Sequence, residues 1–175
     1  MSGAPVPPPD DRAAAEAFAR AVLDHLDALY AFARRLTRNA ADAEDLVQET
    51  MLKGLRARRS FQPGTNLKAW LFTIMRRTFL DRVGRPTLEG AESLLAAQHG
   101  GDPEPALLAA ASRDALEAAL SALPVAFRAT VWLVDVEEMS LAEAADVLGC
   151  PVGTVKSRLS RARALLRLLL KDEVR

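Results

Sequence analysis

The 175 residues, half of them hydrophobic, suffice for one or two domains with buried cores, and the single cysteine excludes an internal disulfide. No apolar run approaches the roughly 20 residues of a membrane span, and the Pro-rich start Met1–Asp11 lacks the basic and apolar segments of a signal peptide, so we expect a cytoplasmic protein without a membrane partner. The net charge of zero hides a segregation, because residues 51–85 and 152–175 carry net charges of +8 and +5, whereas residues 1–50 and 86–151 carry −4 and −9.

Helical periodicity accounts for the first half of the chain. Between Asp11 and Leu36, apolar residues recur at spacings of 3 and 4, as one helix stripe requires: Phe18, Val22, Leu26 and Leu29. Asn39 is a predicted N-cap of the next helix, whose inward residues are Ala43, Leu46, Val47 and Leu55. After a turn at Pro63-Gly64, a third helix is predicted from about Leu67 to Val83, with a core face of Trp70, Leu71 and Ile74.

Glycine and proline interrupt this pattern from Gly84 to Pro105, which predicts a flexible linker with a helical turn around Ser93–Gln98. Further helices are expected at about Ala106–Leu120 and Pro124–Val136. No stretch alternates with period two for long enough to form a sheet. The sequence therefore predicts an all-α fold with two small helical domains, residues 1–84 and 106–175, joined by a linker at 85–105.

A helix-turn-helix is predicted within Met139–Leu166. Ser140 and Glu143 have the spacing of a capping box, and Gly149 suits the left-handed C-cap of the helix that they begin. The second helix starts near Val152, with inward residues at spacings of 4, 3, 4 and 3: Val155, Leu159, Ala162, Leu166 and Leu169. Its outer face carries hydroxyl and basic groups suited to base edges and phosphates in the major groove: Thr154, Lys156, Ser157, Arg158, Arg161 and Arg163. A helical hairpin with a merely solvated basic face stays open as an alternative.

Basic and aromatic residues are interleaved around the third helix. Bases outside a duplex can stack on rings while cations neutralise their phosphates, so this composition suits single-stranded nucleic acid. The basic candidates include Lys68, Arg76 and Arg77. Phe61, in a loop, is a freer stacking candidate than Trp70, which shares the apolar stripe of its helix.

Other residues carry weaker signals. Asp45, Gln48 and Glu49 share one face of the second helix, either as a solvated surface or as a docking surface for a basic protein. Cys150, in the turn of the helix-turn-helix, is expected to fill space as a small buried residue. Neither histidine has a nucleophile or ligand neighbour in the sequence, so we expect no catalytic residues, metal or cofactor. The predicted protein binds and does not catalyse.

Two segments resemble the sigma-70 family. DAEDLVQETMLKGL (Asp42–Leu55) followed by FQPGTNLKAWLFTIMRRTFLD (Phe61–Asp81) is similar to the family's second region. Leu120–Leu166 resembles its fourth region, and no first or third region is apparent. This architecture is typical of the extracytoplasmic-function group. The resemblance implies an alternative sigma factor that binds core RNA polymerase, recognises minus-thirty-five and minus-ten promoter elements and promotes transcription initiation.

The resemblance also implies roles for the faces described above. The acidic face of Asp45, Gln48 and Glu49 would dock on the clamp helices of the polymerase's largest subunit. The loop Phe61–Asn66, here named the capture loop, would take a flipped base of the melted minus-ten element, and the helix after it would hold the strand. The helix from Val152 would read the minus-thirty-five element, chiefly through Lys156, Ser157, Arg158 and Arg161. The linker would thread toward the polymerase active cleft.

The resemblance also implies a protein partner, and the sequence departs from the family pattern at two positions. Members of this group are commonly held inactive by an anti-sigma factor, so one is expected here. The segment QPGTNLKAWL (Gln62–Leu71) is similar to that of members tied to general-stress and redox circuits. Arg77 and Gly84 stand where many relatives have asparagine and arginine.

Two other classes of protein share parts of the pattern. A response-regulator type of DNA-binding protein has a similar helix-turn-helix but needs a receiver or ligand-binding domain, which the first 100 residues do not suggest. A helical adaptor that sequesters a partner has no need for a recognition helix of one charge sign.

Overall fold

The structure, a computed structural model, describes residues 9–37, 39–84 and 112–171. Within these ranges the chain forms eight α-helices and no strand: α1 (Pro9–Leu23), α2 (Leu26–Leu36), α3 (Ala40–Arg56), α4 (Leu67–Val83), α5 (Arg113–Ala122), α6 (Val125–Val131), α7 (Leu141–Leu148) and α8 (Val152–Lys171). A 3-10 turn follows α3 at Arg58–Ser60, and a π-helical turn, Trp132–Val136, continues α6. The predicted all-α class is confirmed. The predicted linker at 85–105, its helical turn and the start of the helix predicted at Ala106 fall in 85–111, outside the described residues.

Two helices replace the single helix predicted between Asp11 and Leu36. The chain turns between α1 and α2, and the apolar stripe changes direction there. In α2 the buried stripe is Leu29, Phe32, Ala33 and Leu36, at spacings of 3, 1 and 3. Leu26 therefore falls outside the core, 41% exposed, and its predicted inward position is wrong.

Asparagine side chains begin both α3 and α4. The side-chain oxygen of Asn39 accepts a hydrogen bond from the amide of Asp42 at 2.8 Å, as predicted for an N-cap, and Asn66 accepts from the amide of Ala69 at 3.1 Å. α4 begins and ends where the sequence placed it. Its buried arc is wider and rotated from the prediction, because α4 packs on α2 and α3 on one side and on α7 on another. Trp70 and Ile74 are only half-buried, whereas the fully buried hydrophobic residues are Leu71, Phe72, Met75 and Phe79.

The C-terminal helices surround the apolar face of α8. This face is formed by Val155, Leu159, Ala162, Leu166 and Leu170, all buried. Leu169, predicted inward, is 39% exposed, because the last step of the stripe is four residues instead of three. α6 and α7 both pack on α8, and α5 packs on it through Ala115, Ala119 and Leu120, which share a buried cluster with the apolar face of α8.

The N-terminal and C-terminal helices share a core. Phe72 and Met75 of α4 belong to the same buried cluster as Leu133, Ala144 and Leu148 of the C-terminal half. The contact extends along α4 on α7 and along α2 on α6. Through this shared core, α4, which lies in the first basic block (residues 51–85), packs on α7. Helix α7 in turn packs on α8, which lies in the second basic block (residues 152–175). No helix in the described part of the chain is long and apolar enough to cross a membrane.

Candidate nucleic-acid and polymerase interfaces

The helix-turn-helix has the predicted local geometry. Ser140 Oγ accepts from the amide of Glu143 at 3.2 Å, and the Glu143 carboxylate accepts from the amide of Ser140 at 3.0 Å, which completes the capping box. Gly149 ends α7 in the left-handed conformation, with φ 61° and ψ 40°. Its amide and that of Cys150 bond back to α7 carbonyls, so the turn is closed by backbone groups.

One face of α8 presents the groups suited to DNA. Thr154, Ser157 and Arg161 follow at i, i+3 and i+7, so they lie along one side of the helix. Ser157 is exposed, and Thr154 and Arg161 are half-buried. Lys156, also exposed, flanks this side near the N-terminal end. The face combines hydroxyl and cationic donors within the first three turns of the second helix, where a major-groove reader carries them.

Two predicted recognition residues do not lie on this face. Arg158 is only 6% exposed, because its position between Val155 and Ala162 places it at the edge of the buried stripe, and its outward placement is a wrong prediction. Its Nη1 lies 3.7 Å from Cys150 Sγ, and Cys150 itself is half-buried. Arg163 donates to both carboxylate oxygens of Asp135, at 3.2 and 2.6 Å, which ties α8 to the turn after α6.

The capture loop has an exposed tip and a packed base. Thr65 bonds the carbonyl of Gln62 through its amide and its hydroxyl, at 3.2 and 2.7 Å, and the intervening Gly64 has a φ of 89°. Phe61, at the base, lies 5.8 Å from the ring of Phe18 and 5.4 Å from that of Trp70. Phe61 is thus half-buried against two rings, whereas Trp70 has the same two kinds of ring contact and also packs on the buried core, so Phe61 as the freer stacking ring stays a prediction. The sequence could not have supplied the contact with Phe18, because Phe18 reaches the loop from α1.

Three of the predicted strand-binding residues contact the C-terminal half. Asn66 Nδ2 donates to Glu143 Oε1 at 3.0 Å, and Lys68 Nζ donates to Glu137 Oε2 at 2.6 Å. The Arg76 guanidinium lies so close to Gly149 that a Cβ there would meet its Nη1 at 2.6 Å. The bond from Asn66 is the main cause that lowers the pKa of the Glu143 carboxyl, with the capping bonds from Ser140 next. Arg77, in contrast, is exposed.

The predicted polymerase face lies on α3. Asp45 and Gln48 are exposed, whereas the Glu49 carboxylate binds Lys53 Nζ at 2.8 Å and Arg82 Nη2 at 2.5 Å. These bonds, Lys53 first and Arg82 second, lower the pKa of Glu49. Leu52, seven residues after Asp45 on the same face, is 53% exposed and was not among the residues predicted for this face. The signal was present, since the spacing of 3 and 4 that joins the acidic residues continues to Leu52.

The described residues contain no group of three or more histidine, cysteine, aspartate or glutamate side chains that could hold a metal ion. The groups on these surfaces are suited to binding. Helices α4 and α8 carry cationic and hydroxyl donors, and α3 carries carboxylates with an exposed apolar residue.

Comparison with known proteins identifies both halves. Residues 21–87 match the family model of sigma-70 region 2, and residues 113–166 match that of sigma-70 region 4. The ECF RNA polymerase sigma factor EcfG of Rhodopseudomonas palustris (strain TIE-1) is 42% identical over 151 residues, which cover 85% of this chain and 82% of that protein. ECF RNA polymerase sigma factor SigE of Mycolicibacterium smegmatis is 40% identical over 162 residues; the match covers 90% of this chain and 63% of that longer protein.

Solved structures agree with this assignment. The sigma factor RpoE in complex with the anti-sigma factor NepR from Bartonella quintana is 37% identical with a TM-score of 0.70, covering 89% of this chain and 98% of that chain. CnrH in complex with the cytosolic domain of CnrY is 29% identical with a TM-score of 0.62, covering 90% of this chain and 89% of that chain. Sigma factors are not enzymes. The chain belongs to the extracytoplasmic-function sigma factors of the sigma-70 family.

Proposed function

We propose that this chain directs core RNA polymerase to promoters with two DNA-binding surfaces, one on each half of the chain. The observation that carries the proposal is the side of α8 that bears Thr154, Ser157 and Arg161, which follows a capped helix and a left-handed glycine turn. Such a helix can enter the major groove, where these donors reach base edges and phosphates. In the proposal this side of α8, with Lys156 beside it, reads the minus-thirty-five element.

The second surface is the capture loop with α4. An exposed tip on a packed base presents a fixed binding surface to an unpaired base, and the adjoining Lys68, Arg76 and Arg77 supply positive charge for the strand. We assign this surface to the minus-ten element. Phe61 contributes as part of the packed base of the loop, since its ring contacts Phe18 and Trp70.

Docking on polymerase is assigned to α3. Asp45, Gln48 and Leu52 form an exposed strip with an apolar C-terminal end, and Glu49 is held at its edge by Lys53 and Arg82. An exposed apolar residue next to an acidic helix face fits a basic helical partner better than a merely solvated face does, because its burial contributes free energy to binding. The proposed partner is a helical, basic surface of the core enzyme.

Promoter binding requires the two halves to separate. Glu137 and Glu143 occupy the donors of Lys68 and Asn66, so a DNA strand and these carboxylates compete for the same groups. We call the form in which the two halves are in contact the closed form, and the form in which they are apart the open form. Only a partner with different affinities for these two forms can shift the equilibrium between them. RpoE and CnrH were each solved with a second protein, NepR and the cytosolic domain of CnrY. We propose that an anti-sigma factor likewise binds this chain and favours the closed form.

The proposed activity is binding without catalysis, and it belongs in the cytoplasm, where core polymerase and promoter DNA meet. The test is reconstituted transcription with core polymerase, the purified chain and fragments of genomic DNA. We expect defined transcripts from promoters that the core enzyme ignores alone. Transcripts that do not depend on the chain, or none at all with an active core enzyme, would refute the proposal. A response-regulator type of protein would instead require another sigma factor in the mixture.

A further inference from the structure

Helix α1 holds the base of the capture loop, although most of α1 precedes the segment matched by the region 2 model, which starts at residue 21. The helix makes two contacts here, one with the 3-10 turn that precedes the loop and one with Phe61, the first residue of the loop. Both contacts come from one face of α1, since Asp11 and Phe18 are seven residues, or about two turns, apart. Val22, one turn further, is fully buried in the core and fixes the helix.

The first contact is ionic. Asp11 Oδ1 accepts from Arg58 Nη2 at 2.5 Å, and Asp11 Oδ2 accepts from Arg59 Nη2 at 3.1 Å. The carboxylate and the Arg58 guanidinium are about three-quarters covered, whereas Arg59 is largely exposed. The Arg58 bond is the first cause, and the Arg59 bond the second, that lowers the pKa of Asp11. These ionic contacts of Asp11 hold the 3-10 turn that directly precedes the capture loop.

The second contact is aromatic. The Phe18 ring lies 5.8 Å from Phe61 and 6.2 Å from Trp70, and Phe61 and Trp70 are 5.4 Å apart. Each of the three rings therefore contacts the other two, with tilted or edge-on geometry of the kind that aromatic pairs prefer. Because Phe61 begins the loop and Trp70 lies in the first turn of α4, Phe18 holds both ends of the loop at once.

We propose that α1 positions the capture loop for the minus-ten base, with Asp11 and Phe18 as its positioning residues. Gln62 and Thr65 are exposed at the tip, which is closed by the bonds from the Thr65 amide and hydroxyl to the Gln62 carbonyl. A loop that is ordered before it binds does not lose that conformational entropy on binding, and a small displacement of contact groups costs specificity. The proposal rests on the proposed capture function of this loop.

The experiment measures how the holoenzyme discriminates among bases. A promoter selected from genomic DNA by the holoenzyme is changed one base at a time in its minus-ten and minus-thirty-five elements, and open-complex formation is measured for each. Phe18→Ala should reduce discrimination at one minus-ten position by about tenfold, and Asp11→Asn should reduce it in the same direction by less. Discrimination in the minus-thirty-five element and affinity for core polymerase should not change. Phe18→Tyr, which keeps the ring, should restore the parent behaviour.

Two variants on the same helix serve as controls. Leu23→Ala removes a 53% exposed apolar side chain, and Glu16→Gln removes an exposed carboxylate. If Phe18→Ala has no more effect than Leu23→Ala, or if it weakens both promoter elements equally, α1 is only a structural helix and the proposal fails. If Phe18→Ala does not fold, Asp11→Asn against Glu16→Gln decides. If Gln62→Ala and Thr65→Ala leave minus-ten discrimination intact, the capture function itself fails.

Discussion

The guanidinium of Arg35, on α2, donates to both carboxylate oxygens of Glu117, on α5, at 2.6 Å each. Arg35 is buried, its guanidinium lies 4.4 Å from the ring centroid of Trp132, and its backbone oxygen accepts from Arg128 Nε at 2.6 Å. One arginine of the N-terminal half is thus held by three residues of the C-terminal half. The Arg35–Glu117 ion pair joins the two halves, so its loss reports that they have lost contact.

The Arg35–Glu117 pair predicts an effect of acid on the closed form. The Arg35 bond is the main cause that lowers the pKa of Glu117 from its ordinary value near 4.5. A carboxyl whose pKa is lower in the folded state contributes stability that is complete above the unfolded pKa and lost as the pH falls through the folded value. We therefore expect the halves to begin separating below about pH 4.5, observed as a change in tryptophan emission.

Glu117→Gln tests the same pair at neutral pH. Loss of one charge beside a buried arginine should destabilise the closed form by about 1–2 kcal/mol, a value reduced by the exposure of Glu117. Glu117 is 48% exposed as a side chain and Arg35 only 11%. The variant should also flatten the acid transition, and Asp114→Asn, an exposed acid in the same helix, is the control. An unchanged transition in Glu117→Gln would show that other groups govern it.

The competition between carboxylates and DNA gives a second prediction. Glu137→Gln with Glu143→Gln removes two charges while glutamine can still accept the bonds from Trp132 Nε1 and the capping hydroxyl. The free chain should bind a fluorescent single strand of the minus-ten element about threefold more tightly, or better, because more of it is open. Fluorescence anisotropy measures this affinity.

The control for that variant is Glu138→Gln with Asp146→Asn. It makes the same change in net charge with two exposed side chains nearby. Equal gains in both doubles would mean that general charge attracts the strand and that the contacts to Asn66 and Lys68 do not compete with DNA.

The recognition side of α8 gives a third prediction. Arg161→Ala should weaken binding by about 1–3 kcal/mol on the matched upstream element if it reads a base edge. A phosphate contact would weaken matched and scrambled elements alike and lower the salt slope by about one. Lys171→Ala, near the far end of the same helix, is the matched control. Equal affinity of Arg161→Ala and parent for both DNAs would remove Arg161 from the interface.

Local rules predicted much of the fold. The caps of α3 and α7, the left-handed glycine after α7 and both ends of α4 depend on residues within one or two turns, so spacing and residue type suffice for them. Arg158 marks the limit of this reasoning. A charged residue beside a buried stripe is assigned outward by composition, whereas its neighbours in three dimensions bury it. The pairing of Asn66 and Lys68 with carboxylates about 70 residues later has no local signal at all.

The docking face on α3 gives a fourth prediction. Asp45→Lys with Glu49→Lys should weaken assembly with core polymerase by about tenfold or more, by replacing attraction with repulsion. Minus-thirty-five binding by the free chain should be unchanged. Because Glu49 binds Lys53 and Arg82, this double also loses internal bonds, and Leu52→Ser serves as a second variant that touches no ion pair. The control is Asp114→Lys with Asp146→Lys, and equal loss of assembly in this pair would make the effect one of net charge.

Two glycines with a positive φ provide a matched pair for the last prediction. At Gly64, with φ 89°, an added Cβ meets nothing within 4 Å, whereas at Gly149, with φ 61°, it would lie 2.6 Å from Arg76 Nη1. Alanine at either position carries backbone strain of about 1 kcal/mol. Only Gly149→Ala must also displace the arginine that packs on the turn. The midpoint temperature of thermal unfolding should therefore fall further for Gly149→Ala than for Gly64→Ala. Small-angle scattering should also detect a more open chain for Gly149→Ala. Equal losses with unchanged dimensions would mean that Arg76 moves aside freely and that its contact with the turn does not hold the two halves together.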